Sequence, residues 1–187
     1  IALFSSLPTR HDTIIVDEYI HRSVHDGCAM SPARKIKFRH NDVHHLETIL
    51  KRQRGRCYIA IESLYSMEGD FAPLHEIAAL AEQFKAHLIV DEAHAFGLFG
   101  NGRVWSYQLQ DKVFATVITY GKGLGMHGAA IITSELIRQY LINSASSFIY
   151  TTAVPDWIWM GISCGYDLLQ SNRHLSLELQ KKITLFR

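Results

Sequence analysis

Cysteine is scarce in this chain: Cys28, Cys57 and Cys164 are odd in number and far apart, with no CxxC pair. That argues against a disulfide framework or a thiolate zinc centre and predicts a reducing, cytoplasmic setting. Net charge is nearly absent too. Nineteen Lys and Arg against 18 Asp and Glu leave +1, so no field of one sign draws the chain to nucleic acid or an anionic membrane. No apolar run reaches the ~20 residues that cross a bilayer; the nearest, 148–162, is interrupted by Pro155 and Asp156. Repeats, linkers and low-complexity tracts are missing as well. The start, Ile1-Ala2-Leu3-Phe4, has neither an initiator Met nor the charged region of a signal peptide. Both ends are expected to continue in a longer protein.

What is present is the balance of a globular protein: 187 residues, 48% apolar and 20% charged, enough for one domain with a core. Short β-branched runs alternate with amphipathic stretches. Strands are predicted at 13–17, 36–38, 57–61, 88–91, 114–119 and 129–133. Helices are predicted at 20–28, after Asn41 or Asp42, from Pro73, from Ser134 to 144, at 155–170 and at 175–186. The β-then-α order predicts an α/β fold, a mostly parallel sheet flanked by helices on both faces.

Ligands of such sheets sit beyond the carboxyl ends of the strands. Those ends deliver Glu62, then Asp91-Glu92-Ala93-His94, then Thr119-Tyr120-Gly121-Lys122. Each residue alone could be a turn former or a cap; a carboxylate, an imidazole and a lysine together describe a site. Lys122 lies among Gly121, Gly123, Gly125 and Gly128, which would leave room around its amine for a bulky planar partner. A Schiff-base lysine needs that access.

Two other chemistries can be weighed on the same residues. Leu88-Ile89-Val90-Asp91-Glu92-Ala93-His94 has the form of the magnesium box of DEAH-type helicases. Such an ATPase also needs GxxxxGK[ST] upstream, whereas Lys122 lies downstream and is followed by Gly123. His40, His44 and His45 could suggest a metal, but no carboxylate or cysteine completes an evident ligand set. The simpler expectation makes them the exposed start of a helix.

Four ordered motifs resemble the α-oxoamine synthases, pyridoxal-phosphate (PLP) enzymes of fold-type I. They are the run Glu62-Ser63-Leu64-Tyr65-Ser66-Met67-Glu68-Gly69-Asp70-Phe71-Ala72-Pro73-Leu74, then Val90-Asp91-Glu92-Ala93-His94-Ala95-Phe96-Gly97, then Gly100-Asn101-Gly102-Arg103, and finally Thr119-Tyr120-Gly121-Lys122-Gly123-Leu124-Gly125. The similarity runs from His21-Arg22-Ser23-Val24-His25-Asp26-Gly27 to Tyr150-Thr151-Thr152-Ala153. It implies the aspartate-aminotransferase-like large domain. It also implies that Lys122 carries PLP as a Schiff base, that Asp91 pairs with the pyridine nitrogen, and that His94 hydrogen-bonds the phenolic oxygen. His21 would lie on the ring face, Ser66 would help fix the ring oxygen, and Thr119 would touch the phosphate. Thr151 and Thr152 would reach a phosphate in a partner subunit, making a homodimer with shared sites; Glu62 would belong to the substrate surroundings.

The implied reaction condenses an amino acid with an acyl-CoA, releasing coenzyme A and carbon dioxide. Gly128-Ala129-Ala130 after the lysine motif resembles the members that use L-alanine and pimeloyl-CoA in biotin synthesis, with the glycine and acetyl-CoA branch as the runner-up. A non-catalytic structural subunit is a further alternative, against which the presence of Lys122 counts. The chain departs from the family at His127, where many relatives carry a small residue. The family's glycine-containing phosphate loop is expected before Ile1, and the carboxylate-binding arginine after Arg187. Residues 1–170 are accordingly expected to form the central part of the PLP-binding domain, and 171–187 the start of the connection to a C-terminal domain.

Overall fold

A computed structural model of the chain describes residues 1–172 and 174–186. Six strands form one sheet: β1 (Thr13–Asp17), β2 (Arg34–Phe38), β3 (Cys57–Glu62), β4 (His87–Asp91), β5 (Ala115–Thr119) and β6 (Ala129–Thr133), in the order β2-β1-β3-β4-β5-β6. The first five are mutually parallel, and β6 pairs antiparallel with β5. The reversal follows from length. A parallel return needs about a dozen or more residues of crossover, and only residues 120–128 separate β5 from β6.

The helices are α1 (Ala2–Ser6), α2 (Arg22–Ala29), α3 (Val43–Leu50), α4 (Leu74–Gln83), α5 (Arg103–Ser106), α6 (Glu135–Ser144), α7 (Ser146–Ile149), α8 (Asp156–Ser171) and α9 (His174–Phe186). Strand residues alternate between two cores. Ile15, Ile59, Ile61, Leu88 and Val90 meet α3 and α4 on one face. Ile14, Val16, Tyr58, Ala60 and Ile89 meet α1, α2 and α6 on the other. Neighbouring strand side chains point to opposite faces, so a strand buried on both faces must be apolar throughout. The run Ile14-Ile15-Val16 satisfies that demand, and each residue contributes about 1.5–3 kcal/mol through burial. A third cluster packs α8, through Ile158 and Ile162, against Phe96, Ile118 and Tyr120.

The expected strands and the longer helices are present, with a few differences. The short helices α1, α5 and α7 carry too few turns to show a period. Helix α2 starts at Arg22, because His21 is its N-cap and accepts from the Ser23 backbone N–H. The histidine patch is the clearest correction. Asp42 is the N-cap of α3 and accepts from the His45 N–H at 2.8 Å, so His40 lies ahead of the helix. Its ring stands between Asp17 and Asp70, at 2.9 Å from each, and is not part of an exposed helix start. Among the described residues no group of three or more His, Cys, Asp or Glu is placed to hold a metal ion, and no helix is long and apolar enough to cross a membrane.

The chain turns sharply after β4. Asp91 lies at the strand's end, while Glu92 is fully buried beneath α5. The Glu92 carboxylate accepts from Ser63 Oγ at 2.6 Å and from the backbone N–H groups of Arg103 at 3.0 Å and Val104 at 2.6 Å. These are unpaired donors of the first turn of α5, which a carboxylate satisfies well. Arg103, itself buried, donates to the Ser63 carbonyl at 2.6 Å and to Tyr107 Oη at 2.8 Å, and stacks over Phe71. Burial alone would raise the Glu92 pKa strongly; the bonds from Ser63, Val104 and Arg103 offset part of that rise. Glu92→Ala strands these donors. At about 1–3 kcal/mol for a buried polar group left unsatisfied, we expect a loss of at least that size, read as a lowered urea midpoint, with Glu92→Gln losing less.

Candidate active site

Two neighbouring strands end at the same level, and the next runs past them. The pairing of β3 with β4 sets Glu62 directly beside Asp91; β5 sets Val117 beside Asp91 and ends two residues later, at Thr119. Strand register alone therefore brings Glu62 to Asp91 and leaves Thr119 farther out at the same edge of the sheet. Asp91 is held by its own turn, its Oδ1 accepting from the Ala93 N–H at 2.9 Å. The turn continues into His94, whose Nε2 lies 2.6 Å from Lys122 Nζ.

Lys122 sits in the loop between β5 and β6, closed by three backbone bonds: Tyr120 N–H to the Gly128 carbonyl, Met126 N–H to the Tyr120 carbonyl, and Gly125 N–H to the Lys122 carbonyl. The loop is also pressed against the one that carries His94. A Cβ on Gly123 would collide with the carbonyl oxygen of Phe96 and press on Gly97. The glycine next to the lysine thus allows two backbones to touch. The sequence suggested room for a partner; this position serves close packing. Lys122 itself is exposed, as is His127.

The electrostatics fit one shared crevice. Glu62 is almost wholly buried, and its pKa is pushed up to about 7, first by burial and then by the Asp91 charge; the His21 backbone and Lys122 pull it partly back. The pKa of His94 is lowered by burial and by Lys122, against the opposing pull of Asp91. A neutral imidazole keeps a lone pair on one nitrogen, and at 2.6 Å the Lys122 ammonium can donate to it. One oxygen of Glu62, Oε1, and the hydroxyl of Thr119 are buried without a hydrogen-bond partner among the described residues. Buried polar atoms are rarely left unpaired, so these two mark where a bound group would complete the site. A flat, anionic, carbonyl-bearing cofactor such as PLP fits this donor set: an accessible lysine amine, a carboxylate at a strand end, a neutral histidine and an unpartnered hydroxyl.

The remaining residues lie at different distances from that centre. His21 lies beside Glu62, whose pKa its backbone helps to lower; its Nδ1 is held 2.9 Å from Ser23 Oγ. Ser66 is exposed at the tip of a turn whose ends are bridged through Leu64 and Phe71. Thr151 and Thr152 are exposed in the segment between α7 and α8. Sequence patterns missed Ser63 and Arg103 as the pair that holds the Glu92 turn, and missed His40 as a bridge. The signal for Arg103 was a charged residue in a segment that had to pack; nothing local marked its partner.

Glu62 gives a pH test on cofactor-free protein. A carboxyl whose folded pKa is raised binds its proton more tightly when folded. Its contribution is fully present below the unfolded pKa, near 4.5, and is lost as the pH rises through about 7. Against Glu62→Gln, the wild type should lose relative stability steadily over that window. Chemical denaturation at pH 4.5, 6 and 8 measures it; a constant difference between the two proteins would refute the buried, proton-binding carboxyl.

Comparison with known proteins gives a consistent picture. The chain is 38% identical over 201 residues to an 8-amino-7-oxononanoate synthase of Emericella nidulans, covering 98% of this chain and 48% of that protein. It is 35% identical over 190 residues to the enzyme of the same name from Chromobacterium violaceum, covering 100% and 50%. Among solved structures, the serine palmitoyltransferase of S. paucimobilis with bound PLP and myriocin superposes with a TM-score of 0.91 at 27% identity, over 96% of this chain and 46% of that one. The 8-amino-7-oxononanoate synthase of Francisella tularensis gives 0.83 at 32% identity, over 99% and 55%. The chain spans about half the length of the curated relatives it matches. The sequence profile described as aminotransferase class I and II matches residues 1–182, and the fold-type I sheet, the strand-end carboxylates and the lysine loop agree with it: the chain belongs to the aminotransferase class I and II family.

Proposed function

We propose that this chain is the central part of a PLP-dependent α-oxoamine synthase, acting as an 8-amino-7-oxononanoate synthase that condenses L-alanine with pimeloyl-CoA and releases coenzyme A and carbon dioxide in biotin synthesis. The observation that carries the reading is the convergence of Asp91, His94 and Lys122, with the 2.6 Å contact between the last two, in a chain related to synthases of that name. Bound PLP supplies an electron sink that stabilises negative charge at the α carbon of the amino acid.

The protein's part is to bind, orient and move protons. Lys122 would hold PLP covalently through Nζ. Asp91, fixed by the Ala93 N–H, would keep the pyridine nitrogen protonated, which makes the sink effective. His94 would hydrogen-bond the phenolic oxygen, His21 would cover the ring face, Ser66 would help fix the ring oxygen, and Thr119 would turn its hydroxyl to the phosphate. The Lys122 amine would also be the group placed to take the α proton of the amino acid. Glu62, holding a proton near neutrality, lies at the edge where the amino acid and acyl-CoA would meet. Holding the breaking bond perpendicular to the ring is largely a matter of orientation.

Thr151 and Thr152 are exposed, and so are the large apolar side chains of Phe148, Tyr150, Trp157 and Met160 in the segments that flank them. Exposed patches of this kind mark association sites, which supports a homodimer whose subunits complete each other's sites. In the same reading the protein works in the cytoplasm, and α9, beyond residue 170, begins the connection to a further domain. The glycine and acetyl-CoA pair is the second reading, since it uses the same residues at the lysine.

The experiment is coenzyme A release by the full-length gene product with PLP, comparing L-alanine plus pimeloyl-CoA with glycine plus acetyl-CoA. Preference for the first pair is expected; preference for the second would move the protein to the other branch. Lys122→Ala should lower turnover by at least about a thousandfold, given the ~10²–10⁴ that a positioned acid or base contributes on top of covalent attachment. The same substitution should abolish the visible absorbance of lysine-bound PLP while leaving the far-ultraviolet dichroism unchanged. Wild-type turnover in the variant would sink the proposed mechanism.

A further inference from the structure

Just outside the crevice, three separate segments converge on one histidine. His40 Nδ1 lies 2.9 Å from Asp17 Oδ1, at the buried end of β1, and Nε2 lies 2.9 Å from Asp70 Oδ2. The ring is stacked on Tyr19 with centroids 4.6 Å apart and meets the edge of Tyr65 at 4.5 Å. Its backbone N–H donates to Glu18 at 2.8 Å. Asp17 is fully buried and accepts further from the Tyr19 N–H and the Asn41 N–H, both at 2.9 Å. Asn41, in the left-handed region at φ 54°, sets its amide nitrogen 3.1 Å from Asp70 Oδ2, 3.3 Å from the Phe71 carbonyl and 3.1 Å from His40 Nε2.

Proton counting decides what the ring does. A carboxylate can only accept, and a neutral imidazole carries one N–H. The contacts of the two ring nitrogens with two carboxylates are hydrogen bonds at the same time only when the ring is doubly protonated. Burial works against that charge, but the hydrogen bonds that the ring donates to Asp17 and then Asp70 outweigh it, and the His40 pKa is raised. When the second proton leaves, the buried Asp17 keeps its donor. Nε2 then turns a lone pair toward Asp70 and can accept from Asn41 instead.

Asp70 closes the turn that carries Ser66. The Tyr65 N–H donates to the Asp70 carbonyl, the Gly69 N–H to the Tyr65 carbonyl, and Leu64 bridges Phe71. The tip itself is held by little: Met67 is 88% exposed. We propose that His40 in its doubly hydrogen-bonded form is a positioning residue, which clasps the turn 64–71, and with it Ser66, to the end of β1 and releases the turn when the ring loses its second proton. The importance of the clasp for the cofactor rests on the proposed role of Ser66; the clasp itself does not.

The groups facing the ring are Asp17, Glu18 and Tyr19 after β1, Asn41 beside it, and Tyr65 and Asp70 from the turn; Arg39 is paired with Asp42 at 2.7 Å. The test is amide hydrogen exchange on the full-length protein, reported as protection of the Tyr65 and Gly69 N–H groups between pH 5.5 and 9. In the wild type that protection should fall as the pH rises past the His40 transition, while core amides such as that of Ile59 stay constant. His40→Gln should lower it by roughly tenfold at acid pH and remove the pH dependence. Should that variant fold poorly, Asp70→Asn, which leaves the Asp17 contact in place, should give the same local loss. Equal protection in wild type and variant, or a flat wild-type profile, overturns the clasp. PLP titration followed by absorbance separates the two readings. Lowered protection with weakened PLP binding upholds both, and lowered protection with unchanged binding upholds the clasp and removes Ser66 from the cofactor site.

Discussion

Glu62 and Asp91 end adjacent parallel strands in direct register, but the fold buries the first almost wholly and the second only partly. Much of the site follows from that difference. A carboxylate without water is costly, so burial first, and the neighbouring Asp91 charge second, drive Glu62 toward its protonated form, while Asp91 stays in the open side of the turn with a backbone donor. Lys122 arrives from the next loop as the nearby cation, and together with burial, the larger cause, it lowers the His94 pKa. The two groups of the site whose proton affinity shifts, Glu62 and His94, therefore move in opposite directions, each toward its uncharged form.

One step at the end of β4 separates the carboxylate proposed to act on the cofactor from one that holds the fold. Asp91 faces the crevice, whereas Glu92 is turned under α5, where Ser63, Arg103 and Val104 saturate it. The neighbouring pair looks alike in sequence. It differs in what surrounds it: one is left accessible for chemistry, and the other anchors the turn that aims His94. The same division recurs on β1, whose terminal Asp17 is buried and consumed by His40, Tyr19 and Asn41.

Much of this was legible without coordinates. The unbroken apolar runs of β1, β3 and β4 announce strands buried on both faces, and that alone places Glu62, Asp91 and Thr119 at the same end of the sheet. Ser134 and Asp42 announce their helices through short-range hydrogen bonds. What was not legible depends on partners far away in sequence. Arg103 meets Ser63 across 40 residues, and His40 meets Asp17 and Asp70 across 23 and 30. No local pattern encodes those pairings. The short helices α5 and α7 also escaped notice, because a single turn has no periodicity to read.

The loop that carries Lys122 is fastened at both shoulders, by the ladder of β5 and β6 and by the contact of Gly123 with Phe96. Such a loop acts as a ruler: the amine is measured out from two fixed marks, and its reach is a matter of counting residues. An inserted or deleted residue would turn the lysine off its mark, and a side chain at Gly123 would force one of the two fastenings apart. Length, and one residue without a side chain, are what this segment must preserve.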